Sequence, residues 1–141
     1  MTLQSTKNPY CTDIIKTLWS LLDEEEDHEK IISLLKKFDG ILPKIFSEVV
    51  TDELNSQDRE VKLRAIKKFS IFWKLTALDY PEYKPFYEKD TDLRRYVALH
   101  NMLHILEDTD PTLRLSCRGW LSDSKQHYRR ILDPLLEEFL Q

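Results

Sequence analysis

The sequence predicts an all-α fold, built from antiparallel helix hairpins stacked as a short right-handed solenoid. Apolar residues recur at helical spacing in segment after segment, as in Ile14, Ile15, Leu18, Trp19 and Leu22. The chain has only two glycines in 141 residues, too few for the positive-φ turns that β-hairpins prefer. Two segments also share one grammar. Asp58, Val61, Lys62, Ala65 and Phe69 are answered in order by Asp110, Leu113, Arg114, Cys117 and Leu121. An aspartate that can cap the first turn precedes a buried branched residue, a basic residue and a small residue. With 41% hydrophobic and 11% aromatic residues, the whole chain, 1–141, can bury a single core without disulfides or metals.

Taken in order, the first helix starts at Asn8 and Pro9 or at Thr12 and Asp13 and runs to Leu22. The acids Asp23 to Asp27 end it in a solvated turn, without the glycine or alternating ligands of a calcium loop. A second helix covers about His28 to Phe38, with Gly40 as its C-terminal stop, so that 1–40 is an N-terminal helix pair. Pro43 opens a third helix with Ile45, Phe46, Val49 and Val50 inward. Beyond a short polar connection the longest helix spans about Arg59 to Leu78, which makes 41–78 a repeat-like pair. Residues 79–90 form an irregular connection interrupted by Pro81 and Pro85. Thr91 and Asp92 are expected to cap a helix to about Leu106, and Asp110 with Pro111 opens its partner, which makes 91–124 a second pair. In 125–141, a helix through Tyr128 and Ile131 is followed by a restart at Asp133 and Pro134. The last helix is still apolar where the sequence stops, as expected of a solenoid segment cut from a longer array.

The function classes open to such a chain are narrowed by what its residues can do. Residues 1–57 hold 6 basic and 11 acidic side chains, and residues 58–141 hold 15 and 14, so no broad attraction for nucleic acid is expected. No signal-type or spanning apolar run occurs, which points to a cytoplasmic protein. Cys11 and Cys117 lack companion spacing and read as reduced, buried thiols. His100 and His104 share a helix face at zinc-compatible spacing, but the glutamate of a zinc-protease motif and a third ligand are missing. Phosphate-binding loops and nucleophile elbows are absent, so neither an enzyme nor a cofactor nor a small-molecule substrate is expected.

Two stretches remain as candidate partner-binding surfaces. One is the aromatic set Tyr80, Tyr83, Phe86 and Tyr87, which is read either as a cover over the end of the stack or as an exposed patch. The other is the basic set Lys62, Lys67 and Lys68 on the longest helix, with Arg94 and Arg95 extending it, suited to acidic partners or anionic headgroups.

The copies around Asp58 and Asp110 resemble the second helices of HEAT and armadillo-like repeats. A narrower resemblance covers about Lys62 to Leu140: the strings KLRAIKKFSIFWKLT and RGWLSDSKQHYRRILDPLLEEFL are similar to a helical-repeat segment of the Dopey family. Phe69, Phe72, Trp73, Leu75 and Thr76 occupy its aromatic helix, Trp120 and Leu121 its Trp-Leu pair, and Arg130 to Leu136 its Arg-Ile-Leu-Asp-Pro-Leu-Leu run. The resemblance implies a non-catalytic scaffold with protein partners and peripheral contact with Golgi or endosome membranes, in traffic between those compartments. Auxiliary subunits of sodium-leak channels are a comparable armadillo-like class and give an alternative reading. A lipid- or nucleic-acid-binding helical module using the basic helix gives another.

Overall fold

Asp58 and Asp110 open their helices in the same way. Both adopt extended backbone, with φ of −79° and ψ of 115° and 116°, and their side chains accept from the amides of Glu60 and Thr112 at 2.9 Å. Each bond satisfies a first-turn donor that has no partner inside its helix. The computed structural model describes residues 9–24, 27–86, 88–90 and 93–139, with residues 88–90 and 93–95 described as backbone. The helices described are α1 Pro9–Leu21, α2 His28–Ile41, α3 Pro43–Leu54, α4 Arg59–Leu75, α5 Val97–Ile105, α6 Pro111–Asp123 and α7 Arg129–Phe139. Two short strands, β1 Glu88–Asp90 and β2 Leu93–Arg95, pair antiparallel between α4 and α5.

Odd helices stack on odd ones and even on even: α1 on α3, α3 on α5, α2 on α4 and α4 on α6. Consecutive helices pack as well, so the pairs α1/α2, α3/α4 and α5/α6 lie one behind another in the two-layered arrangement expected of a helical-repeat stack. The reason is the width of each apolar stripe. In α3, Ile45, Phe46, Val49, Val50 and Leu54 are all buried, a face broad enough to serve α1, α2, α4 and α5 together. Ala65 of α4 and Cys117 of α6, the matched small residues, are both fully buried.

Aromatic rings join the layers. Trp19 meets Phe46 edge-on at 5.8 Å, Phe69 meets Trp120 at 5.6 Å, and Trp73 meets Trp120 at 5.8 Å. Phe86 lies among them, stacked at 5.1 Å from Phe46 and 5.2 Å from Phe69. Such pairs add to the burial of large apolar surfaces by about 0.5–1.5 kcal/mol each.

Four boundaries differ from the sequence reading. Gly40 lies inside α2, and its φ is not positive; the helix closes instead where the Leu42 amide bonds the Phe38 carbonyl at 2.6 Å. The α4 helix ends at Leu75, where the Thr76 hydroxyl donates to the Phe72 carbonyl at 2.7 Å, and a 3-10 turn covers Ala77–Asp79. The α5 helix starts at Val97 rather than near Thr91, because the strand pair occupies the expected first turn; Thr91 and Asp92 lie outside the described residues. Asp133 and Pro134 do not restart a helix: Pro134 is buried inside a continuous α7. Its missing amide leaves one carbonyl, that of Arg130, without its helical donor.

Candidate interaction surface

The aromatic connection is pinned to the body rather than displayed. Tyr80 is half-buried and its hydroxyl donates to Asp133 of α7; burial, and then that carboxylate, push its pKa up to about 12. Tyr83 is half-buried and donates to Asp39 of α2 at 2.7 Å, while the Lys36 ammonium lies 5.1 Å from its ring centre. Burial raises the Tyr83 pKa, and the adjacent Asp39 charge raises it further. Phe86 is 1% exposed, at a left-handed φ of 62°, with its ring in the core. A partner cannot reach it: the apolar contact expected of this residue is made internally. Tyr87 lies outside the described residues, as do the side chains of Arg94 and Arg95, of which only the β2 backbone is described.

The basic helix is paired with carboxylates along its length. Arg59 bonds Asp110, Lys62 lies 3.2 Å from Asp108, and Arg64 and Lys67 each lie 3.9 Å from Asp23. Lys68 is buried, paired with Glu53 and 5.9 Å from the Trp19 ring centre. The Arg59 hydrogen bond comes first in holding Asp110 below the usual carboxylate range, while the Asp110 amide does the same for Asp108 with support from Lys62. Of the three lysines, Lys68 is removed from any surface, Lys62 is half-buried and Lys67 is exposed. Among the described residues these carboxylates offset much of the positive charge of α4, against the uncompensated field that nucleic acid or anionic lipid would need.

What the two matched helices create instead is a groove. Leu63, Arg64, Lys67 and Ser70 of α4 face Ser116, Gly119 and Trp120 of α6 across an open volume of about 660 Å³, with Asp23 and Asp123 at its margins. Where α4 carries Arg64 and Lys67, the equivalent positions of α6 carry Ser116 and Gly119, and these small residues leave the space open. A Cβ built on Gly119 would meet nothing within 4 Å. Lys62 belongs to a second opening, at the capped ends, shared with Arg59, Asp108 and Asp110. Sequence reading missed this groove because it lies between helices rather than along one. Its signal was the loss of bulk at Ser116 and Gly119 within an otherwise repeated pattern.

Two polar residues are buried, which nothing in their local sequence signals. Asp39 is 6% exposed, and its burial raises the pKa to about 6 against the lowering effect of bonds from Tyr83 and the Phe86 amide. Arg130 is 2% exposed, stacks 4.0 Å from the Trp73 ring centre, and donates to the Trp73 carbonyl and to the Thr76 hydroxyl, the latter at 2.9 Å. Burial lowers its pKa to about 10. It thereby closes the C-terminal end of α4 from a different helix.

The remaining chemical candidates are occupied by packing or by other partners. Cys117 is fully buried, its thiol donates to the Met102 carbonyl at 2.8 Å, and burial raises its pKa to about 12. His100 bonds Glu138 at 2.5 Å. Among the described residues no group of three or more His, Cys, Asp or Glu side chains could hold a metal ion, and no helix is long and apolar enough to cross a membrane.

Comparison with known proteins agrees with this architecture. A family profile described as "DOP1B-like, TPR repeats" matches residues 3–129. Protein DOP1B of Mus musculus is 26% identical over an alignment covering 96% of this chain and 6% of the mouse protein. The chain therefore spans a small fraction of the relative it matches. No solved structure matches. The two-layered stack of helix pairs, with the profile matching nearly the whole chain, shows that this chain belongs to the DOP1B-like TPR-repeat family.

Proposed function

We propose that the chain is a non-catalytic scaffold module that holds a protein segment in the α4–α6 groove, in the service of membrane traffic between endosomes and the Golgi. The groove carries the reading. Its lining sets Leu63 and Trp120 among Arg64, Lys67, Asp23 and Asp123, the mixture of apolar and charged groups that protein interfaces use. Mixed charge at the rim favours a polypeptide over a polyanion. Lys62 and Tyr80 lie outside this groove. The traffic assignment rests on the family resemblance.

Gly119→Arg and Lys67→Glu test this directly, since both positions are exposed and neither serves the core. Affinity purification of the tagged chain from cells, read by quantitative mass spectrometry, is expected to recover endosomal and Golgi proteins that both substitutions deplete. Equal recovery by the parent and both variants overturns the groove as the docking site. Recovery that depends on the groove but contains no endosomal or Golgi proteins overturns the traffic assignment instead.

A further inference from the structure

The groove between α4 and α6 is lined by donors that the protein itself leaves unused. Arg59, Lys62 and Lys68 of α4 are each hydrogen-bonded to a carboxylate, Asp110, Asp108 and Glu53 in turn. Arg64 and Lys67, which line the groove, are not. They share the two oxygens of Asp23, each 3.9 Å away and beyond hydrogen-bond length, and their side chains are 62% and 65% exposed. Two cations therefore face one carboxylate, with N–H groups open to a further acceptor.

The wall formed by α6 adds a donor of another kind. Trp120 lines the groove and is 3% exposed, and its indole nitrogen is buried with no hydrogen-bond partner. A buried indole N–H ordinarily has an acceptor, because water is no longer there to supply one. Next to it Gly119 carries no side chain, and a Cβ there would meet nothing within 4 Å, so a second backbone can come close to α6. Ser116, almost one turn earlier on the same wall, is small as well.

We propose that the occupant of this groove is an extended, acidic segment of a partner protein, an inference that rests on the groove being the docking site. An Asp or Glu carboxylate of the segment meets Arg64 and Lys67, and one of its main-chain carbonyls accepts from the Trp120 indole. Each part follows from the donor it answers. Cations with open N–H groups bind a carboxylate through charge-assisted hydrogen bonds. A main-chain carbonyl is free for a side-chain donor where the backbone is extended, whereas carbonyls inside a helix are already bonded to amides of that helix. Asp123 lies one turn beyond Gly119 and pairs with neither cation, so it repels a second carboxylate there and confines the acidic residue to the level of Ser116 and Gly119.

Random dodecapeptides displayed on phage and selected against the full chain test this. The recovered peptides are expected to be enriched in Asp and Glu over the unselected pool. Arg64→Glu with Lys67→Glu should weaken their binding by about tenfold or more, while thermal unfolding stays near that of the parent, since both side chains are exposed. In proton–nitrogen correlation spectra, saturation with a recovered peptide should move the Trp120 indole resonance downfield. The indole of Trp19, equally without a partner but outside the groove, should stay in place. Peptides that lose binding to Gly119→Arg yet are neutral or basic overturn the acidic occupant and leave the groove standing as the docking site. An unmoved Trp120 resonance overturns the carbonyl contact. A selection that returns no peptide, or only peptides that bind Gly119→Arg as well as the parent, overturns the groove itself.

Discussion

Asp39 accepts hydrogen bonds from the Tyr83 hydroxyl and the Phe86 amide, yet burial outweighs both and its pKa rises to about 6. A carboxyl that binds its proton more tightly when folded favours the native state at low pH. Its contribution is fully present below the unfolded value of 3.8 and is lost as pH rises through about 6. Asp39→Asn keeps an acceptor for Tyr83 and removes the buried charge. At pH 7 the variant is expected to be more stable than the parent by on the order of 1–3 kcal/mol, and indistinguishable from it near pH 4. Urea melts at the two pH values check this. A loss of stability at pH 7 would mean that the charge, not merely the acceptor, is what anchors the 80–86 connection. The sequence displayed Asp39 beside Gly40 as an ordinary helix ending, and only the fold brings Tyr83 over it.

Among the elements, the helices were legible and the connection between α4 and α5 was not. Helices announce themselves through local spacing and caps, so Asp58 and Asp110 could be paired by eye. The 80–86 segment takes its shape from partners distant in sequence: Asp39, Phe46, Phe69 and Asp133. Its rings read first as a cover over the end of the stack and second as an exposed patch, and the Phe86 ring lies buried deep in the core. At a φ of 62° a phenylalanine backbone is strained, and the conformation persists because the ring fills the centre of the aromatic cluster. Phe86→Ala should cost about 3–5 kcal/mol in equilibrium unfolding, as a large core ring does. Phe86→Gly leaves the same cavity but accepts the left-handed backbone, so it should be no worse than Phe86→Ala, the reverse of the usual order. If glycine proves worse by about 1 kcal/mol, the strain at this position is not real.

At the scale of the whole molecule the stack is not equally secure from end to end. The middle layers are tied by broad apolar faces, and α3 touches four other helices. The last helix, α7, rests largely on polar contacts, chief among them Arg130 at the end of α4. Repeat arrays gain stability from nearest-neighbour contacts, so a layer with one neighbour opens before a layer with two. Native-state amide exchange should therefore find α7 opening at a free energy a few kcal/mol below that of α3. Arg130→Met retains an apolar stem over Trp73 but removes both hydrogen bonds, leaving the Trp73 carbonyl and Thr76 hydroxyl without that partner. Its effect should fall on α7, whose protection drops by on the order of 2–3 kcal/mol, while the amides of α3 keep most of theirs. A uniform fall across α3 and α7 would show that the chain unfolds as one cooperative unit, with α7 as much a part of its core as the layers before it.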